Sequence, residues 1–229
     1  YTGCGDDDGP RTAAPAPTTT PTAQATATPT PTERIALSVL GRHTYIPPED
    51  ASPDGAAESV AHDPLTQRLF VVNAETKTVD VLDINDPTAP VLVSTLDMTT
   101  EGNGANSVAV HHGMLAVAVQ GQPKTDPGAV VLYNTDTLTL LSVVEVGPQP
   151  SALAFTPDGH TLVVANEGQP NGAYTIDPEG SVTLIDLTDD SIPPPTRTVT
   201  LDGFNDHIAA LRADAVSYTH LTLPTRRFV

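Results

Sequence analysis

One pattern constrains this chain more than any other. A block of four short apolar runs occurs three times in succession. The first runs are Glu58-Ser59-Val60-Ala61, Asn106-Ser107-Val108-Ala109 and Ser151-Ala152-Leu153-Ala154. The second runs are Leu69–Asn73, Leu115–Val119 and Leu162–Asn166, and the third are Thr78–Asp83, Ala129–Asn134 and Ser181–Asp186. The fourth are Val91–Leu96, Leu140–Glu145 and Arg197–Leu201. Val60 to Val108 is 48 residues and Val108 to Leu153 is 45; Val79 to Val130 is 51 and Val130 to Val182 is 52. The runs are rich in Val, Leu and Thr, lack a helical apolar period, and are separated by Gly, Pro, Asn and Asp, as strands bounded by turns are. Four strands per repeat at a period of about 40–50 residues is the signature of β-propeller blades. The expected fold is all-β: a partial β-propeller of three four-stranded blades, at about 34–98, 105–146 and 147–202.

The turns agree with this reading. Thr156-Pro157-Asp158-Gly159 joins the first two runs of the third copy with strong turn chemistry, and His62-Asp63-Pro64 and His112-Gly113 occupy the same joint in the others. Asp83, Asn134 and Asp186 close the third runs, where a short acceptor side chain bonds the amides that follow. Closed propellers typically have about 4–8 blades. The segment 34–215 therefore reads as the N-terminal part of a propeller in a C-terminally truncated fragment.

Both ends lie outside this repeat. The single cysteine, Cys4, follows Thr2-Gly3, and small residues before a near-terminal Cys resemble the end of a bacterial lipoprotein signal. Residues 1–9 read as a lipid-anchor region, the alternative being a free thiol in a tail. Residues 10–33 read as a disordered linker: positions 10–32 hold nine Thr, six Pro and six Ala, with almost nothing to bury. At the other end, Val216–Thr225 matches the one-frame translation of a mosaic-end adapter used in transposase-based sequencing libraries. Residues 216–229 are therefore read as a sequencing-adapter artefact; the alternative is a true strand, since Leu221 and Leu223 alternate with polar neighbours.

The formal net charge of −18 excludes phosphate-driven nucleic-acid binding and direct docking on an anionic bilayer, because the field has the wrong sign. Membrane contact is expected through the lipid anchor only. One Cys excludes an intramolecular disulfide framework and a Cys-cluster zinc site. No run of 18 apolar residues is present for a spanning helix.

Residues 55–83 and 162–187 resemble the choice-of-anchor I family of bacterial surface propellers, related to the YVTN and WD40-like folds. The resemblance is carried by Gly55-Ala56-Ala57-Glu58, Asp63-Pro64, Leu69–Asn73 and Val81-Leu82-Asp83 with Asp86-Pro87. Its most specific stretch is Ala165-Asn166-Glu167-Gly168, then Pro170-Asn171, Tyr174 and Asp177–Val182. It extends over about 34–215, and Ala209–Ala213 looks like the family's helical segment after that blade. The resemblance implies an exported, extracytoplasmic protein of the bacterial cell envelope, held at the surface by an anchor. Some members carry the label alkaline phosphatase or mesenchyme-specific cell surface glycoprotein, so the implied activity is not a single one. This chain departs from the family at Ser59, where a bulkier apolar residue is usual, and at Ser151, where an acid is frequent.

In a propeller the first strand of each blade lines the central channel. Glu58, Asn106 and Ser151 hold equivalent first-strand positions and are expected at one mouth. The second and third runs of the last copy are separated by a long insertion, 167–180, carrying Glu167, Asn171, Tyr174, Asp177 and Glu179. Long loops in compact domains are usually functional or disordered. Carboxylates mixed with carbonyl oxygens suit Ca²⁺, so Glu58, Asn106, Glu167, Asp177 and Glu179 form a candidate metal set; the alternative is a solvated acidic loop. His111-His112 could ligate a metal, but adjacent strand residues face opposite ways, so a turn position is the preferred reading. No nucleophile motif, P-loop or HExxH is present, and no catalytic residue is nominated. Two function classes follow. The first is a cell-surface lipoprotein whose propeller binds an extracellular ligand or protein. The second is a Ca²⁺-dependent phosphoesterase of alkaline-phosphatase or phytase-like type.

Overall fold

The computed structural model describes residues 36–45, 56–189 and 191–207. The chain divides into two units, 1–38 and 39–229, and every described strand lies in the second. Blade 1 comprises β1 (Val60–Asp63), β2 (Arg68–Asn73), β3 (Thr78–Asp83) and β4 (Val91–Asp97). Blade 2 comprises β5 (Ala105–His111), β6 (Met114–Val119), β7 (Pro127–Asn134) and β8 (Leu140–Pro148). Blade 3 comprises β9 (Pro150–Phe155), β10 (Thr161–Asn166), β11 (Ser181–Asp186) and β12 (Thr196–Thr200), and a 3₁₀ turn follows at Asp202–His207. Each blade is a four-stranded antiparallel sheet in sequence order. Val60 pairs with Val71, Val108 with Val117 and Leu153 with Val164, so the repeat alignment holds residue for residue. The three sheets form part of a propeller that is not closed.

The first described strand of blade 1 begins at Val60. Residues 36–45 have no regular structure, and Leu37, Val39 and Leu40 are exposed. Cys4, the 10–33 linker, the 209–213 segment and residues 216–229 lie outside the described residues.

The core is two seams with blade 2 between them. On one side Leu115, Val117, Val119, Val131 and Tyr133 pack with Phe70, Val72, Val79 and Val81 of blade 1. On the other Ala116, Ala118, Val130, Leu132, Val144 and Val146 pack with Leu153, Leu162, Val164 and Ile185 of blade 3. Strand side chains alternate in direction, so burial on both faces requires an unbroken apolar run. Leu115–Val119 and Ala129–Tyr133 are such runs, and both are buried throughout. Full burial of one Val or Leu contributes about 1.5–3 kcal/mol, which makes these seams the main source of stability.

Short polar side chains fix the turns. Asn134 Oδ1 accepts from the Asp136 and Thr137 amides, Asp186 Oδ1 from the Thr188 amide and hydroxyl, and Asp83 Oδ1 from the Asn85 amide. Asp63 is the fully buried example. It accepts from the Leu65 amide (3.0 Å) and the Thr66 hydroxyl (2.7 Å). Burial acts to raise its pKa, but the hydroxyls of Thr135 and Thr66 and the Leu65 and Thr66 amides outweigh it and hold the carboxyl below its usual 3.8. A depressed carboxyl pKa stabilises the fold above the unfolded value and loses that contribution as pH falls through the folded value. Asp63→Ala is expected to lower stability by about 1–3 kcal/mol in urea titrations at neutral pH. The gap from the parent should narrow as pH falls below 3.8; a gap independent of pH would contradict this account.

The His111 and His112 rings meet edge to face with centroids 4.2 Å apart, and the pair sits at a turn, as expected. The reason is backbone. Strand β5 ends at His111, and His112 (φ 43) and Gly113 (φ 84) turn the chain in the left-handed region. His111 also stacks on Phe155 of blade 3 and lies over Gly159, where an added Cβ would collide with the imidazole. Gly159 has φ 73, so both geometry and space demand glycine. Gly159→Ala should destabilise by about 1–3 kcal/mol by thermal melting, and adding His111→Ala should recover part of the loss. No recovery would place the whole effect in the backbone.

Candidate functional site

In an up-and-down blade the start of the first strand and the connection between second and third strands share one end. That end carries Glu58, Asn106 and Ser151 together with the loops after β2, β6 and β10. Each of the three positions interrupts regular pairing. Asn106 stands unpaired between Ala105↔Val119 and Ser107↔Ala118, and Ser151 between Pro150↔Asn166 and Ala152↔Ala165. In blade 1, the Glu58 amide donates to the Val72 carbonyl, whose own amide donates to Ser59. Bulged residues leave the face alternation and re-aim their side chains.

The re-aimed side chains do different things. Asn106 Nδ2 donates to the Pro150 carbonyl at 2.8 Å, tying blade 2 to the first strand of blade 3. Glu58 is exposed and Ser151 half-buried. The 167–180 loop is fastened at its base, where the Glu167 amide donates to Gln149 O and the Gly168 amide to Pro148 O. Gly168 (φ 65) packs against the Pro178–Glu179 backbone, bringing the two arms of the loop together. At the tip Asn171 Oδ1 accepts from the Thr175 amide at 2.9 Å, and its own amide donates to Ile176 O. Tyr174 and Ile176 are left exposed at 59% and 54%.

The five residues of the candidate metal set share this end without converging as a cluster of acids. Glu167 Oε2 accepts from Gln169 Nε2 at 2.7 Å, and Gln169 Oε1 accepts from Lys124 Nζ of blade 2 at 3.3 Å. Asp177 and Glu179 are exposed. Among the described residues no group of three or more His, Cys, Asp or Glu is placed to hold a metal ion. Besides Asn106, the side chains that join the blades here are the lysines. Lys77 Nζ, in the connection after β2, donates to Asn103 Oδ1 at 2.7 Å, as Lys124 does to Gln169 one blade on. The sequence contains only these two lysines. Their rarity in so acidic a chain was the available signal for this role. Asn106→Ala should leave the Pro150 carbonyl without its donor, at a cost of about 1 kcal/mol in chemical denaturation. Faster amide exchange should appear at the start of β9; unaltered exchange there would remove the tie.

Repeated four-stranded blades with loops gathered at one end define a β-propeller module. The chain belongs to the choice-of-anchor I domain family, whose model matches residues 58–226. That match extends into the 216–229 segment. A curated relative, the mesenchyme-specific cell surface glycoprotein of Strongylocentrotus purpuratus, is 32% identical over 144 residues, 58% of this chain and 18% of the relative. The chain thus spans less than a fifth of that protein. Among solved structures, a hypothetical selenium-binding protein from Sulfolobus tokodaii aligns at 10% identity and TM-score 0.47, over 65% of this chain and 39% of that one. Kuenenia stuttgartiensis hydrazine synthase aligns at 16% identity and TM-score 0.39, over 63% and 54%.

Proposed function

We propose that this chain is a surface-display module of the bacterial cell envelope. A lipid on Cys4 holds it to the membrane, residues 10–33 act as a stalk, and the propeller head binds an extracellular ligand or protein at the loop-bearing end. The observation that carries the binding role is the 167–180 loop. Its base is fixed by backbone bonds while Tyr174 and Ile176 stand exposed at its tip. A preordered loop presenting an aromatic anchor loses little entropy on binding. The family membership and the surface glycoprotein relative favour display. Among the described residues, the acids at this end do not form the converging set that metal-assisted phosphoester hydrolysis requires. The binding role is therefore preferred.

The test is expression behind a lipoprotein leader that ends at Gly3. Labelled palmitate should enter the chain, and Cys4→Ser should abolish labelling and move the protein from membrane to soluble fractions. Unchanged partitioning of Cys4→Ser would refute the anchor. Ca²⁺ titration of the parent and of Glu167→Gln/Asp177→Asn should give matching calorimetric traces. Saturable heat in the parent alone would restore the metal set and reopen the phosphoesterase reading.

A further inference from the structure

The opposite end of the blades carries a crevice that the loops do not reach. It lies between blades 1 and 2, has a volume of about 460 Å³, and is lined by Leu65, Arg68, Asp83, Asn85, Asn134 and Asp136. That volume is within the range of small-molecule sites, about 300–1,000 Å³. Thr135 and the side-chain-free Gly113 also line it. We infer that this crevice is a binding site for a polyhydroxylated ligand carrying one positive charge, the chemistry of an amino sugar. The inference goes beyond the ligand-binding reading at the loop-bearing end, because it uses none of the residues there.

Four observations set the ligand class. Arg68 Nη1 donates to the Thr135 carbonyl at 2.6 Å and the Asp136 carbonyl at 2.7 Å, across the junction between blades. The guanidinium is therefore held in place with its other nitrogens as donors, and its planar fork gives them fixed directions. Asp83 uses Oδ1 to accept from the Asn85 amide (2.8 Å) and Nδ2 (3.0 Å), which leaves Oδ2 as an acceptor. Asp136 is exposed; its backbone, not its carboxylate, makes the Arg68 and Asn134 contacts. Leu65 is 68% exposed and supplies the one sizeable apolar surface.

Fixed donors beside fixed acceptors suit hydroxyl groups, which donate and accept at once. The exposed Leu65 suits the C–H face of a pyranose. Two carboxylates against one guanidinium leave the lining with a charge of −1, within a chain of −18. A single ammonium neutralises that excess, whereas a phosphate adds to the repulsion. An apolar ligand would strand the polar lining without partners.

The experiment is a ¹H–¹⁵N NMR titration of the whole chain with glucosamine, glucose and glucose 6-phosphate. Glucosamine is expected to give saturable shifts confined to the amides of Leu65, Arg68, Gly113 and Asp136. Glucose should bind about 4-fold more weakly, the size of one solvent-exposed charge pair, and glucose 6-phosphate should not bind. Asp136→Asn keeps both backbone contacts and should bring glucosamine to the level of glucose. Absent shifts, shifts spread over the acidic surface, or glucosamine binding unchanged by Asp136→Asn would overturn the site. Fractionation of Cys4→Ser reads surface display separately, so the two readings fail independently. A Tyr174→Ala/Ile176→Ala variant that retains glucosamine binding separates the crevice from the loop-bearing end.

Discussion

Burial of both faces of the two inner strands of blade 2, β6 and β7, is the constraint on which the rest of the structure depends. A sheet with one wet face tolerates polar residues at every second position. A sheet between two others does not, and β6 and β7 lack them across their central residues. The two faces also differ in size. Leu115, Val117 and Val119 meet blade 1, whereas Ala116 and Ala118 meet the bulkier Leu153, Leu162 and Ile185 of blade 3. Pairing small residues with large ones lets the sheets interdigitate at interior density without voids.

Apolar packing is strong but tolerates sliding, so the seams by themselves do not set how one blade sits on the next. The polar contacts between blades do that at the rims. Arg68 reaches across at one end, while Lys77, Asn106 and Lys124 reach across at the other. Each contributes little net energy, since exposed or half-buried hydrogen bonds replace bonds to water. Their value is geometric: they hold two ends of the junctions in register, and both candidate binding regions are built from the surfaces so held.

The fold was legible in the sequence because it repeats. Turn residues cut the chain into runs, and the spacing of Val60, Val108 and Leu153 gave the register that the ladders follow. The candidate site was less legible. Glu58, Asn106 and Ser151 were recognisable as equivalent positions, but nothing local marks Asn106 and Ser151 as bulge residues. A bulge is a property of two paired strands. The same holds for the His111–His112 contact, which depends on a left-handed turn at a residue that is not glycine. The crevice was not foreseen at all. Leu65 and Asp136 belong to turns of different blades, and only the packing of the sheets brings them to one opening.

The position of the two lysines bears on how this protein can be handled. Apart from the α-amino group, the chain's amines are Lys77 and Lys124, both at the loop-bearing end. Reagents that attack primary amines therefore address the head from one direction. Coupling through either lysine would seat these three blades loops-down with the Arg68 crevice facing outward, and a fluorophore on either lysine would report on events at the loops with little interference from the far end. An ordinary globular domain, with lysines scattered over its whole surface, offers no such built-in orientation.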